Sequence, residues 1–219
     1  MGGAVGPVRD LDVLSARFAA GVLQLAEVDQ RAAADLQVKL ANSRRLARHA
    51  LLEALRSPDY DRTLDALIAY AAQPPIASHV GKDANRPAVR FARRLVRRRW
   101  LQLGAAVTDA EGCATDEELH RIRILAKRCR YAAEAVVPVV GRPARDFASR
   151  IEDMQALLGD YHDTVLAEAW LREAAVELVD GRVAIGGLIA IERQQRDRLR
   201  AAWPTVWRHA SKRQARAWF

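Results

Sequence analysis

The sequence has few features of a secreted, membrane-bound or disulfide-stabilised protein. Its two cysteines, Cys113 and Cys129, form neither a C-x-x-C pair nor a metal-ligand pattern, which favours free thiols in a reducing compartment. The start MGGAVGPVRD lacks the basic and apolar regions of a signal peptide, and no apolar run approaches the ~18 residues of a membrane-spanning helix. We therefore expect a cytoplasmic protein with no membrane partner.

Sequence motifs for catalysis and nucleotide binding are also missing. There is no G-x-x-x-x-G-K-[ST] loop and no G-x-G-x-x-G, and no serine lies in a nucleophile-elbow context. The dipeptide His162-Asp163 is similar to part of a metal-dependent phosphohydrolase motif, but such a centre needs several further His and Asp ligands. We expect a binding protein rather than an enzyme, without metal or cofactor.

No stretch shows the sustained alternation of a half-buried strand, whereas apolar residues recur at helical spacing throughout. The sequence predicts an all-α protein, with starts marked by Ser57 before Pro58 and by Thr115 with Glu118 as a capping box. Glycines at 104, 141, 159 and 181 indicate helix ends. About eight helices are predicted, at roughly 8–27, 30–56, 59–73, 85–103, 116–137, 144–158, 161–179 and 186–210.

Pro204 is expected to break or kink the last helix, which leaves Trp207 and Trp218 to anchor a basic tail. The Pro- and Gly-containing segment around 74–84 predicts a linker between two halves, 1–73 and 85–219. A weak repeat supports two halves, because Gly6 and Gly159 each lie four residues before an aspartate that we expect to open a helix. Only five residues precede the first copy, so the first half looks short.

Charge gives the strongest functional signal. The chain has 35 Lys and Arg against 27 Asp and Glu, a net charge of +8, which favours nucleic acid, anionic lipid or another polyanion as partner. In HRIRILAKRCRY, residues 120–131, there is no carboxylate. His120, Arg123, Lys127 and Arg130 fall within an arc of roughly 80° on one helix face, opposite Ile122, Leu125, Ala126 and Cys129.

A second basic stripe precedes the first. Seven arginines and no acid lie between Arg86 and Arg99, and the opposite side carries Phe91, Ala92, Leu95 and Leu103 as a candidate core face. Two such helices side by side would form a basic groove. Its candidate residues are Arg90, Arg93, Arg94 and Arg97, with weaker stripes formed by Arg44 and Arg48 and by Arg193, Arg196 and Arg200.

LHRIRILAKRCRYAAEAV, followed by PARDFASRIEDMQALLGDYHDTVLAEAWL, resembles the second half of a CHAD domain, the conserved-histidine α-helical domain. GPVRDLDVL at 6–14 and LRSPDYDRTLDAL at 55–67 resemble parts of its first half. The resemblance implies a pair of helical bundles whose histidine and basic residues line a central cavity for inorganic polyphosphate. It also implies that the first bundle, 1–73, lacks its first two helices.

Carried over to this sequence, the family's histidine falls on His120 and its basic positions on Arg123, Lys127, Arg128 and Arg130. Arg128 lies off the stripe. The arginines of the second stripe lie in a region that is similarly basic in the family. The resemblance thus implies polyphosphate as the partner, with association to polyphosphate granules.

Two alternatives remain open. The chain could be the C-terminal part of a CYTH–CHAD triphosphatase, although it contains no E-x-E-x-K motif of a CYTH domain. It could instead bind nucleic acid, although its stripes carry only Tyr131 and Trp100 for base stacking. Helices 8–27 and 30–56 would expose apolar surface meant for the missing pair, which predicts a missing CHAD segment or a second copy as a further partner.

Overall fold

The structure is a computed structural model that describes residues 2–75, 86–110 and 114–219. Within these ranges every regular element is a helix, which confirms the all-α prediction. Most of the predicted linker, together with His79 and Cys113, lies outside the described residues. The helices are α1 Gly2–Val22, α2 Glu27–Ala32, α3 Ala34–Leu55, α4 Pro58–Ala72, α5 Ala88–Asp109, α6 Asp116–Ala135, α7 Val137–Val140, α8 Arg142–Glu177, α9 Arg182–Ala210 and α10 Arg213–Arg216.

The helix starts that depend on local side chains lie where the sequence predicts them. Ser57 Oγ accepts a hydrogen bond from the Tyr60 amide (3.3 Å) at the start of α4. At α6, Thr115 Oγ1 accepts from the Glu118 amide (3.2 Å) and a Glu118 carboxylate oxygen accepts from the Thr115 amide (2.7 Å). These caps satisfy backbone donors within four residues of the cap, so their sequence signal is strong.

Two predicted helix ends are wrong, because α5 continues through Gly104 and α8 through Gly159. In α8, Leu158 and Tyr161 on either side of the glycine are buried. Burying two large side chains contributes roughly 1.5 to 3 kcal/mol each, which exceeds the ~1 kcal/mol that glycine costs in a helix. Asp163 therefore lies inside a helix and does not open one.

The predicted break at Pro204 is also wrong, because α9 runs from Arg182 to Ala210 without interruption. Trp203 and Ala210, on either side of the proline, are both buried in the core of the second unit. The first copy of the repeat was expected to open a helix at Asp10. This is also wrong, because α1 starts at Gly2 and Asp10 lies within it. Gly141, by contrast, does separate α7 from α8, with a φ of 78° that suits glycine.

The contacts divide the chain into two units that are discontinuous in sequence. The first comprises Met1–Ala84 and Leu166–Glu192, and the second comprises Asn85–Val165 and Arg193–Phe219. Residues 166–192, expected in the second half, therefore pack with the first. The reason is that α8 and α9 are long and each supplies residues to both units.

The first unit packs α1 and α3 against parts of α8 and α9. Phe18 and Leu36 are fully buried there, and the Phe18 ring lies 5.4 Å from that of Trp170. A Cβ on Gly21 would lie 2.8 Å from Leu188, so the glycine allows a close helix approach. Helix α4 contributes nothing to this core, because none of its residues is buried.

The second unit contains the larger core. Its fully buried side chains come from α5, α6 and α8 and include Leu103, Ile122 and Met154. The C-terminal aromatic residues complete it as predicted, since Trp207 stacks on Trp100 with 4.9 Å between ring centroids. Trp218 packs edge-on against Phe147.

Candidate functional site

Helix α6 carries the main basic stripe along the edge of its buried face. Leu119, Ile122 and Ala126 of this helix are buried and fix its orientation in the second unit. His120 and Arg123 are consequently half-buried, while Lys127 on the same side is exposed. The cations therefore flank the core and do not lie diametrically opposite it.

The stripe faces α8, which brings a second histidine and a glycine to it. The ring centroids of His120 and His162 lie 4.2 Å apart with an interplanar angle of 39°. A Cβ on Gly159 would lie 3.6 Å from Arg123 Nε. The glycine thus lets α8 lie close to the guanidinium, in a helix that does not need a glycine for its backbone.

Three polar atoms of the α6 stripe are buried without a hydrogen-bond partner in the described part of the chain. They are His120 Nδ1, Arg123 Nε and Arg130 Nε. No carboxylate among the described residues lies within ion-pair distance of Arg123 or Lys127. More than nine in ten buried polar groups in proteins are paired, so these unpartnered atoms are unusual.

Arg130, one turn further along α6, is held differently. Its guanidinium donates to Glu152 (2.7 Å), lies 3.5 Å from Glu134 and stacks 4.9 Å from the Tyr131 ring centroid. Burial lowers its pKa, but the contact with Tyr131 and the two carboxylates more than offset this, so the pKa is raised. Arg128 is exposed and off the stripe.

The arginines of α5 divide between two environments. Arg90, Arg93 and Arg97 are exposed and form no ion pair with described residues. Arg94 instead lines a pocket of about 480 Å³ together with Arg98 and apolar side chains of α5, α6 and α7. The contacts of the α6 stripe are with α8, so a groove shared with the α5 arginines stays a prediction.

The predicted core face of α5 needs a correction. Ala92 and Leu103 are buried as expected, but Phe91 and Leu95 are 39% and 43% exposed and line the same pocket. The buried face instead starts at Ala92, one residue after Phe91, and continues at a spacing of three or four residues. Its residues are Ala92, Val96, Trp100, Leu103 and Val107.

Arg200 of α9 supports the start of α6. It donates to the Ala114 carbonyl oxygen (2.5 Å) and to Asp116 (3.3 Å). The Tyr161 hydroxyl donates to the same carboxylate (2.5 Å), and burial followed by the Asp116 interaction raises the pKa of Tyr161 to about 12. Arg196 is half-buried nearby, and its charge opposes that rise.

The remaining predicted cations lie on α9 and α3. Arg193 is exposed on α9. Arg44 and Arg48 belong to the first unit, where Arg44 Nε donates to Asp12 (2.8 Å) and Arg48 is exposed.

Comparison with known proteins agrees with the motifs around this site. Residues 1–172 match the model of the CHAD domain. The chain belongs to the CHAD domain family. Two similar proteins are "Uncharacterized protein MT2285" of Mycobacterium tuberculosis (strain CDC 1551 / Oshkosh) and "Uncharacterized protein Rv2226" of Mycobacterium tuberculosis (strain ATCC 25618 / H37Rv). Each is 34% identical over 125 residues, 57% of this chain and 23% of the relative. The chain thus spans about a quarter of the length of these curated relatives.

Sequence reasoning missed the part of this CHAD domain that α8 contributes. The sequence predicts a helix end at Gly159 and suggests only a metal-ligand role for His162. Both residues belong to the GDYHD segment that the sequence analysis singled out, but their approach to α6 depends on how the helices pack.

Among the described residues no group of three metal-binding side chains occurs, and no helix is long and apolar enough to cross a membrane.

Proposed function

We propose that this CHAD domain binds inorganic polyphosphate, or a similar phosphate polyanion, without catalysing a reaction on it. The binding residues are His120, Arg123 and Lys127 on α6, with His162 of α8 beside them. The observation that carries the proposal is the pair of buried, unpartnered atoms, His120 Nδ1 and Arg123 Nε, within the segment 120–131 that contains no acid. Membership of the CHAD family supports it.

Phosphate oxygens suit these three side chains in different ways. The guanidinium of Arg123 offers a planar set of donors that matches two oxygens of one phosphate, whereas Lys127 acts as a mobile point charge. His120 provides a ring N–H that can donate to a further phosphate oxygen. Because each bound phosphate releases counterions, affinity falls steeply as salt concentration rises.

The decisive experiment compares two double variants of α6 with the same change of charge. Arg123→Gln/Lys127→Gln removes the stripe, and Arg121→Gln/Arg128→Gln removes two exposed arginines from the other side of the helix. In a calorimetric or filter-binding titration with polyphosphate, the stripe variant should lose at least about tenfold in affinity, since a charge-assisted hydrogen bond contributes roughly 1.5 to 3 kcal/mol. The slope of log affinity against log salt concentration should become shallower by about two for this variant.

The control variant should retain most of its affinity. Equal losses in both variants would mean that the overall charge binds polyphosphate and that the α6 site does not exist. Phosphate released from polyphosphate by the chain alone would contradict the non-catalytic part of the proposal.

Nucleic acid is the competing ligand, and the aromatic residues disfavour it. Trp100 is buried and stacked on Trp207, so it cannot accept a base. Tyr131 is covered on one side by Arg130. We expect short polyphosphate to displace single-stranded DNA at physiological salt, measured by fluorescence anisotropy of labelled DNA, and the reverse order would favour nucleic acid.

A further inference from the structure

Helix α4 has an apolar face without a partner among the described residues. Leu64, Leu67, Ile68 and Ala71 follow the i, i+3, i+4, i+7 spacing of helices that bind in grooves, and the three large ones are 42%, 57% and 59% exposed. Burying such a face is what normally stabilises an amphipathic helix. We call these four residues the α4 face.

Acidic residues border the α4 face. Asp61 and Asp65, one helical turn apart, are exposed and form no ion pair with described residues. The third acid, Asp59, is already paired with Arg62. The uncompensated charge of α4 is therefore negative and lies along one edge of its apolar face.

The second unit carries a surface of opposite character. We call the pocket on α5 the Arg94 groove; its apolar lining includes Phe91, Leu95 and Val139, all of them 39% to 43% exposed. Arg94 and Arg98 lie one turn apart on its wall and form no ion pair with described residues. Its volume of about 480 Å³ is enough for several aliphatic side chains.

We propose that this protein associates with a second copy of itself through these two surfaces, with the α4 face of one copy in the Arg94 groove of the next. Leucine and isoleucine side chains cover Phe91, Leu95 and Val139, while Asp61 and Asp65 approach Arg94 and Arg98. Each helix presents its charged pair at the same one-turn spacing, beside its apolar residues. This proposal uses none of His120, Arg123 and Lys127, the α6 residues of the proposed polyphosphate site.

The contact joins two different surfaces, so it is heterologous. An open oligomer keeps an unused helix at one end and an unused groove at the other, so it either grows further or closes into a ring. Light scattering coupled to size exclusion should give a mass above the 24.3 kDa of one chain that rises with concentration. A mass of one chain at the highest soluble concentration would overturn the proposal.

Two variants break one surface each. Leu67→Asp/Ile68→Asp destroys the α4 face, and Arg94→Glu/Arg98→Glu reverses the charge of the groove. All four side chains are exposed, so both variants should keep the helicity of the unmodified chain in circular dichroism. Each variant alone should have the mass of a single chain.

Mixing the two variants separates the proposal from other modes of association. The helix-broken chain retains an intact groove and the groove-broken chain an intact helix, so an equimolar mixture should give a one-to-one dimer of twice the chain mass. A chain with all four substitutions should join neither variant. If the groove-broken variant alone still associates like the unmodified chain, α4 pairs with something other than the groove and the proposal is wrong.

Discussion

Among single residues, the carboxylates nearby distinguish Arg123 from Arg130. Both lie on the same side of α6 and both are half-buried, but Arg130 is matched by Glu134 and Glu152 while Arg123 faces a glycine. An anion that binds Arg130 must compete with two acids, whereas no carboxylate of the described residues pairs with Arg123. Arg123 should therefore contribute more to polyanion affinity than Arg130.

Tyr161 gives a prediction at the same scale. Tyr161→Phe removes the hydrogen bond to Asp116 at the start of α6, and we expect the free energy of unfolding to fall by about 1 kcal/mol. The measurement is urea denaturation at pH 7. Tyr70→Phe on exposed α4 is the control and should change stability little, and an equal loss in both variants would contradict the role of the bond.

The same residue makes stability depend on pH in the alkaline range. The pKa of Tyr161 rises from 10.0 to about 12 on folding, so the folded state favours the protonated hydroxyl. This contribution is complete below pH 10 and is lost as the pH rises through 12. Tyr161→Phe should therefore show a smaller decline in stability across that interval than the unmodified chain.

At the scale of helices, Gly159 allows stability and binding to be separated. Gly159→Ala should raise the free energy of unfolding by roughly 0.5 to 1 kcal/mol, because alanine is the better helix former. The new methyl group would lie 3.6 Å from Arg123 Nε, an ordinary contact that costs no strain but narrows the space beside the guanidinium. Polyphosphate affinity should fall although the protein becomes more stable.

Gly104→Ala is the matched control for this experiment. Gly104 also lies inside a helix, and a Cβ there would meet nothing within 4 Å. It should give a similar gain in stability, measured by denaturation, without a change in the polyphosphate titration. Unchanged binding by Gly159→Ala would show that the anion does not bind between Gly159 and Arg123.

The helices also show what could be predicted from the sequence. The caps at Ser57 and Thr115 are recognisable because donor and acceptor lie within four residues. The stripe of α6 is recognisable because a helix repeats every 3.6 residues. Neither rule predicts that Glu152 pairs with Arg130 from another helix. Neither predicts the position of Gly159 beside Arg123, which depends on α6 packing against α8. These features arise from tertiary packing, which overrides local signals.

For the molecule as a whole, stability is unevenly distributed. The second unit buries large side chains from α5, α6 and α8 around Trp100 and Phe147. In the first unit, α4 has no buried residue, and a helix of its 15 residues is marginal on its own. Helix α4 should therefore open locally without the unfolding of either core.

Native-state hydrogen exchange measures this difference. In dilute solution the amides of α4 should exchange at least about a hundredfold faster than the central amides of α6, because their opening needs no exposure of a core. Protection of α4 should then rise with protein concentration if its apolar face is covered by a second copy, while protection of α6 stays constant. The Leu67→Asp/Ile68→Asp variant should lose this concentration dependence. Equal protection of α4 and α6 in dilute solution would show that α4 is already stabilised within one chain, and self-association would then have no exposed face to bury.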